Sequence, residues 1–259
     1  MIRFNIFVDG SNLFGSLKRL KLHVIEYEKF FSYILKQATN LWKASIIEGT
    51  SGVRLNRVLW YEVGSIDDWD LEDRKTQETL LEWFKLDKQL QRSYLEQAGR
   101  KLSKAGTEEV AREAWNICLN EIKTWYSFKK ENVRKGVDFQ FGVKSSTDFI
   151  DIIPSGHLKV DILNKNVTEK GLDTSLAVDM LSLADSYDVA LLISGDADSI
   201  PSIQKVKHMG KHVGVVEFIN GYPPEKKGRQ SSTKLKAIAD FVVPIYETDL
   251  QREGLTKSS

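Results

Sequence analysis

Two carboxylates close one of the most hydrophobic segments of the chain. The stretch LLISGDADSIPSI, residues 191–203, is an apolar run that ends by presenting Asp196 and Asp198, and it contains no lysine or arginine. Asp9 follows the apolar run IRFNIFV in the same way, and Asn12 comes three residues later. Each of these side chains offers oxygen atoms that can bind a metal ion or accept a hydrogen bond. Two segments far apart in the chain therefore place similar polar groups directly after an apolar run.

The elements around these residues predict an α/β fold. Patterns typical of buried strands occupy residues 2–8, 56–64, 136–144, 189–194, 212–218 and 241–245, and residues 149–163 are predicted as a β-hairpin that turns at Pro154-Ser155-Gly156. Helical patterns occupy residues 10 to about 38, about 173–186, about 199–209 and near 232–239. Strands that alternate with helices predict a mostly parallel sheet covered by helices on both faces.

The predicted topology directs several acids toward one edge of this sheet, because ligands of such sheets bind at the carboxyl ends of the strands. Asp9, Asp196 and Asp198 follow strand ends, and Asp173 stands where a helix begins. Each acid alone has a structural interpretation as a helix N-cap or a turn residue. Together, carboxylates about 4 Å apart repel each other by roughly 4 kcal/mol at an effective dielectric constant of ~20, and a divalent cation would offset this. Ligands that are all oxygen favour Mg²⁺ or Mn²⁺, so we predict a metal site.

Composition limits the remaining functional classes. The chain of 259 residues is long enough for one large α/β domain with an insertion, and its net charge of +1 gives no overall attraction to nucleic acid or membranes. Its longest apolar runs, of about six residues, are too short to span a bilayer, and its first residues lack a signal-peptide pattern. Cys118 is the only cysteine, which excludes an internal disulfide and a cysteine-built zinc site. We therefore expect a cytoplasmic protein that does not enter a membrane.

Other known sites fit the residues less well. The segment GSNLFGSLK, residues 10–18, lacks the lysine that a phosphate-binding P-loop requires. Leu13 replaces the last serine of the Asp-x-Ser-x-Ser pattern found in metal-dependent adhesion domains. His208 and His212 are four residues apart, but Gly210 interrupts the helix that would align them for zinc.

Taken in order, the motifs resemble the NYN domains of the PIN-like nuclease superfamily, in particular their LabA-like branch. The resemblance is carried by FVDGSNLF (7–14), EKGLDTSLAVDML (169–181), VALLISGDADSIPSI (189–203), KHVGVVEF (211–218) and STKLKAIADFVVPI (232–245). It implies a three-layer α/β/α PIN-like domain that binds Mg²⁺ or Mn²⁺ and cleaves RNA. The acids of the family site correspond to Asp9, Asp173, Asp196 and Asp198, with Asn12 beside them.

A further acid, Asp179, also corresponds to a family position. Six residues along a helix rotate the side chain by about 240°, so Asp179 cannot point where Asp173 points. We therefore predict Asp179, together with Ser11 and Ser194, as supporting residues rather than metal ligands. Ala197 stands where the family often has glycine or asparagine, which adds a Cβ beside the site.

The resemblance implies a metal-dependent ribonuclease in which the ion polarises the scissile phosphate and lowers the pKa of the attacking water. The alternative is a catalytically weak RNA-binding or regulatory module that has retained the acidic metal site. A Toprim-like nuclease also places an Asp-x-Asp pair at a strand end, but it requires a glutamate after its first strand. Asp9 and Asn12 occupy that place here.

The helical stretch from 69 to 131 is not explained by the resemblance. It contains no proline, and its apolar residues recur at three- and four-residue intervals, which predicts two or three long helices. The predicted organisation is an α/β domain of residues 1–68 and 132–248, a helical insertion at 69–131 and a flexible C-terminal tail at 249–259. We expect the insertion to restrict access to the acidic edge or to form a homodimer contact.

A basic segment follows the strand 212–218. The sequence PPEKKGRQSSTKLK, residues 223–236, carries five basic residues and one acid. Such a run is either a solvated loop or a phosphate-binding segment, and its place after a strand end favours phosphate binding. We predict that the RNA-binding residues, with single-stranded RNA as the partner, are Lys226, Lys227, Arg229 and Lys234.

Overall fold

The computed structural model describes residues 1–45, 52–102, 106–145, 147–223 and 232–258. Two compact units are present. The first comprises Met1–Gly64, Asp138–Gly156 and Gly171–Ser259, and the second comprises Ser65–Val137 and His157–Lys170. Within the described residues, every helix is too short or too polar to cross a bilayer.

The strands and helices follow one another in the alternation expected of an α/β fold. The strands are β1 (Ile2–Asp9), β2 (Leu22–Val24), β3 (Val53–Ile66), β4 (Ile150–Asp161), β5 (Asn166–Lys170), β6 (Val189–Ile193), β7 (His212–Ile219), β8 (Phe241–Tyr246) and β9 (Thr256–Ser258). The helices are α1 (Gly10–Arg19), α2 (Tyr27–Ser45), α3 (Arg74–Leu86), α4 (Lys88–Lys101), α5 (Thr107–Lys144), α6 (Leu172–Ser182), α7 (Ile200–His208), α8 (Thr233–Ile238) and α9 (Glu247–Arg252).

The main sheet confirms the predicted fold class. Its seven strands lie in the order β5-β4-β3-β1-β6-β7-β8. Strand β1 pairs in parallel with β3 and β6, β6 pairs in parallel with β7, and β7 pairs in parallel with β8. Only β4 and β5 form an antiparallel pair among the described ladders of this sheet. The fold is therefore a mixed α/β architecture with a mostly parallel central sheet, as in a three-layer α/β/α PIN-like domain.

Both faces of β1 are buried because its alternate residues enter different cores. Ile6 and Val8 pack in a cluster with residues of α1 and α2, which include Leu13 and Phe30. Phe7 packs in a second cluster with α6 and α7. A strand that is buried on both faces is hydrophobic along most of its length, and this accounts for the apolar residues of IRFNIFV, in which Arg3 and Asn5 are the polar ones.

The second unit has a core of its own. Apolar residues of α3, α4 and α5 pack together there, and they comprise Leu80, Phe84, Tyr94, Ala98, Ala114, Cys118, Ile122 and Tyr126. These residues recur at the three- and four-residue intervals from which the helices of this stretch were predicted. The β-hairpin residues Val160 and Val167 join this core, which the sequence did not predict. The role of residues 69–131 in access or dimerisation stays a prediction.

Residues 136–144, predicted as a strand, are the last turns of α5, so that prediction is wrong. The alternating pattern VDFQFGV resembles a strand, but Gln140 and Val143 are the buried residues and lie three apart. Phe139 and Phe141, which would share the buried face of a strand, are both exposed. Helical packing therefore overrides the local alternation.

The hairpin turn predicted at Pro154-Ser155-Gly156 is also wrong. Strand β4 runs through these residues, and the chain reverses at 162–165, where Lys165 has a positive φ of 50°. A Cβ at Gly156 would lie 3.0 Å from the Cα of Val63. Gly156 is therefore a site of close strand approach rather than a turn.

The C-terminal residues 249–259 were predicted as a flexible tail, and this is wrong for the described ones. Leu250 of α9 is fully buried, and Leu255 and Thr256 are nearly so. Strand β9 pairs antiparallel with β2, a short strand that interrupts the helix predicted from residue 10 to about 38. Pairing between distant segments cannot be deduced from local pattern, which explains both errors.

Candidate active site at the carboxyl end of the sheet

Asp9 is the last residue of β1 and the N-cap of α1. It is buried, with 3% of its surface exposed. Its Oδ1 accepts a hydrogen bond of 2.9 Å from the backbone N–H of Asn12, and its Oδ2 accepts a short one from the Asn12 side chain. The structural interpretation of Asp9 as an N-cap is therefore correct, and the same bonds hold its carboxylate at the edge of the sheet.

Asn12 and Ser194 link the ends of β1 and β6. Gly195 N–H donates a hydrogen bond of 3.0 Å to Oδ1 of Asn12, and the Ser194 hydroxyl lies 3.3 Å from Oδ2 of Asp9. Asp196 N–H in turn donates to the Ser194 hydroxyl at 3.2 Å. The chain after β6 is thereby hydrogen-bonded to the first turn of α1.

Asp196 and Asp198 lie on the exposed turn between β6 and α7. Asp196 caps a short 3₁₀ helix at Ala197–Ser199, because its Oδ1 accepts a bond of 3.0 Å from Asp198 N–H. The N-cap of α7 is Ser199, so Asp198 does not cap that helix. Asp198 therefore has an exposed carboxylate without the capping role that a helix-start interpretation assigns to it.

Asp173 is also not an N-cap. That position of α6 is Gly171, in the left-handed conformation with φ 90°, and Asp173 lies in the first turn of the helix. Partial burial raises the pKa of Asp173, and the negative charges of Asp9, Asp196 and Asp198 raise it further. Three chain segments thus bring their acids within electrostatic reach of each other.

The donor set of this edge fits a hard divalent cation in charge and in atom type. All four acids offer oxygen, and the only charged groups that shift the pKa of Asp173 are carboxylates, which add to the effect of burial without a compensating lysine or arginine. Among the described residues, no three acidic, histidine or cysteine side chains already stand close enough to hold one ion. Ion binding therefore requires the exposed side chains of Asp173, Asp196 and Asp198 to turn toward the buried Asp9.

Two of the predicted supporting residues have defined surroundings. Asp179 Oδ2 accepts a hydrogen bond of 2.9 Å from the hydroxyl of Tyr61, and Ser194 contacts Asp9 as described above. Ser11 is an exposed residue of the first turn of α1. Their supporting role stays a prediction.

Glu62, near the end of β3, was missed in the sequence. Its carboxylate Oε1 accepts a hydrogen bond of 2.6 Å from the indole N–H of Trp60, and it lies directly against Gly10. The sequence did indicate Glu62 as a candidate, because the predicted strand 56–64 also places an acid at its carboxyl end. Only the pairing of Asp9 with Tyr61 in parallel register shows that this acid adjoins α1.

The predicted RNA-binding residues Lys226, Lys227 and Arg229 lie outside the described residues. Lys234 is exposed in the first turn of α8. Lys236, in the same basic segment, donates a hydrogen bond of 2.8 Å to Oε1 of Glu217. Because Glu217 is 5% exposed, Lys236 serves to neutralise a buried carboxylate.

Comparison with known proteins gives three similarities. Residues 131–245 match the family model described as NYN domain, a range that contains Asp173, Asp196 and Asp198 but not Asp9. An uncharacterized protein of Methanocaldococcus jannaschii is 36% identical over 89 residues, so the match spans 33% of this chain and 33% of that relative. The crystal structure of a protein of unknown function from Vibrio parahaemolyticus aligns with 94% of this chain and 93% of its own, at 15% identity and a TM-score of 0.43.

Proposed function

We propose that this chain, which carries an NYN domain and is therefore related to the PIN-like nucleases, is a metal-dependent ribonuclease that hydrolyses phosphodiester bonds of single-stranded RNA. One observation carries the proposal. Asp9, Asp173, Asp196 and Asp198 come from three segments of the chain, and the charges of the other three raise the pKa of Asp173 without any cation to oppose them. Within the family, the motifs DGSNLF and SGDADSIP favour the LabA-like branch.

Of the four acids, one has a side chain that is held in place and three have side chains that can change orientation. Asp9 is fixed, because the backbone and side-chain N–H groups of Asn12 and the hydroxyl of Ser194 hold its carboxylate. Asp173, Asp196 and Asp198 are exposed and can turn toward a ligand. When bound here, Mg²⁺ or Mn²⁺ would neutralise charge on the scissile phosphate and lower the pKa of the attacking water.

The experiment measures cleavage of a labelled single-stranded RNA in Mn²⁺, in Mg²⁺ and in EDTA. We expect cleavage with either ion, none in EDTA, and a loss of about 100-fold or more in Asp196→Asn, because an ion-binding carboxylate contributes several kcal/mol to the barrier. Asp185→Asn is the matched control, since Asp185 is exposed and precedes β6 at the opposite end of the strand. Equal cleavage by wild type in EDTA, or by Asp196→Asn in Mn²⁺, would refute the proposal.

A second candidate function is an RNA-binding or regulatory module that binds a metal ion without turnover. Among the described residues no three acids already hold one position, so an ion bound here without the geometry for turnover is the alternative. Calorimetric titration with Mn²⁺, combined with the cleavage assay, distinguishes the two candidates. Binding that is lost in Asp196→Asn, without cleavage over a panel of RNA and DNA substrates, would favour the module.

A further inference from the structure

Four aromatic rings form a cluster in the first unit, which we call the aromatic platform: Phe14, Tyr27, Trp60 and Phe139. The ring centroids are 5.7 Å apart for Phe14 and Trp60, 5.9 Å for Phe14 and Phe139, and 4.8 Å for Tyr27 and Trp60. Trp60 is fully buried, whereas Phe14 is 38% exposed and Phe139 is 41% exposed. Two partly exposed rings therefore rest on a buried aromatic base that holds them in place.

The platform adjoins the acidic edge through α1. Gly10 and Phe14 are four residues apart and so lie on one side of this helix, about 6 Å from each other along its axis. The carboxylate of Glu62 fills the space over Gly10 and bonds to the indole of Trp60. Asp9 caps the same helix, so the rings begin about one helical turn from a residue of the proposed site.

A cation lies on the same side of α1. Lys18 follows Phe14 by four residues and is exposed. In the part of the chain that the structure describes, Lys18 forms no ion pair. An exposed ring next to an exposed lysine is the combination that single-stranded nucleic acids use, since bases stack on the ring and phosphates contact the cation.

We propose that Phe14 and Phe139 stack against an unpaired base of the RNA next to the reacting phosphate, and that Lys18 contacts a neighbouring phosphate. This inference rests on the proposed function and adds a reason for selecting single strands. Bases in a duplex have their faces covered by their neighbours and cannot reach the rings. Stacking on an aromatic face tolerates any base, so the platform selects strandedness rather than sequence.

The test measures binding and not cleavage. Fluorescence anisotropy of a labelled oligouridylate is recorded in Ca²⁺, with a gel to verify that the RNA remains intact. Phe14→Leu and Phe139→Leu keep the apolar volume but remove the ring, and each is expected to weaken binding at least about fivefold, the lower end of the effect of losing one base stack. Phe141→Leu is the matched control, because Phe141 lies on the same helix as Phe139 and is 69% exposed, outside the platform.

Lys18→Ala gives a second readout. The slope of log affinity against log salt should fall by about 0.7, the value for one phosphate contact to a single strand. An RNA duplex of the same length should bind all variants alike, because the platform does not contact it.

The inference would be overturned if Phe14→Leu and Phe139→Leu bound the oligouridylate as tightly as the control Phe141→Leu. It would also be overturned if the duplex competed for binding as well as the single strand does. Absence of any nucleic-acid binding by wild type would also overturn it. Cleavage is scored separately, which keeps the two proposals apart. Ring-dependent binding without cleavage refutes only the nuclease, and cleavage with ring-independent binding refutes only the platform.

Discussion

The hydroxyl of Tyr61 donates a hydrogen bond of 2.9 Å to Oδ2 of Asp179. Tyr61 is fully buried in β3 and pairs with Asp9 in the parallel ladder, and Asp179 belongs to α6. Burial and the Asp179 carboxylate raise the pKa of Tyr61, so its hydroxyl stays protonated and remains a donor. The bond ties α6, which carries Asp173 in its first turn, to the strand beside Asp9.

Tyr61→Phe removes this bond without changing the ring. We expect the free energy of unfolding to fall by about 1.5–2 kcal/mol, because a hydrogen bond to a charged group contributes about 1.5–3 kcal/mol. Urea denaturation of Tyr61→Phe, Asp179→Asn and the double variant measures the coupling. Additive effects would show that the two side chains do not interact. Loss of Mn²⁺ affinity in Asp179→Asn but not in Tyr61→Phe would make Asp179 a ligand.

Gly10→Ala tests the close approach between α1 and β3. A Cβ at this position would overlap the carboxylate of Glu62 and lie 2.7 Å from the backbone oxygen of Tyr61. We expect a loss of stability of about 1–3 kcal/mol, typical of overpacking, together with weaker Mn²⁺ binding because Asp9 is displaced. Gly15→Ala in the same helix is the control.

Nothing lies within 4 Å of a Cβ built on Gly15. That substitution should stabilise the protein by about 0.5–1 kcal/mol, since alanine has a higher helix propensity than glycine. Thermal denaturation of both variants measures the difference. A Gly10→Ala protein as stable as Gly15→Ala would contradict the observed contact.

Asp188 predicts a dependence of stability on acid pH. The Arg3 guanidinium holds the pKa of Asp188 below its usual value, helped by a bond of 2.8 Å from the backbone N–H of Arg3. Because the folded pKa is depressed, the stabilisation is complete above the unfolded pKa of about 3.9 and is lost as the pH falls through the folded value. Solvent screens this part-exposed pair, so the contribution is about 1 kcal/mol.

Asp188→Asn should therefore lower the free energy of unfolding by about 1 kcal/mol at pH 6, and the two proteins should converge as the pH falls below about 4. Urea denaturation between pH 6 and 3 measures both curves. A constant difference across this range would mean that the charge of Asp188 makes no contribution.

The basic segment predicts a uniform loss of RNA affinity on neutralisation. Replacing Lys226, Lys227 and Arg229 with alanine should weaken binding similarly for unrelated RNA sequences. It should also reduce the salt slope by about 0.7 for each phosphate that these cations neutralise in the wild type. Lys236→Met should instead lower stability, because it leaves the buried Glu217 without its partner. If the slope of log affinity against log salt is unchanged in the triple variant, the basic segment does not contact RNA phosphates and is ordinary solvated surface.

The fold class and the positions of the parallel strands β1, β6, β7 and β8 could be predicted from the sequence alone. Buried parallel strands are hydrophobic throughout, so β1, β6, β7 and β8 were predicted within one or two residues of their observed ends. Acids placed directly after such strands must lie at the carboxyl edge of the sheet. The placement of Asp9, Asp196 and Asp198 at this edge therefore followed from topology.

Tertiary packing determined which local patterns prevailed. Residues 136–144 alternate like a strand but continue α5, because Gln140 and Val143 are buried at helical spacing. Glu62 became part of the site region, and Phe139 became the neighbour of Phe14, only when segments distant in sequence came together. A local pattern shows which residues of one helix or strand share a buried face. Contacts between distant segments depend on how the packed elements fill space, and a sequence pattern carries no record of that.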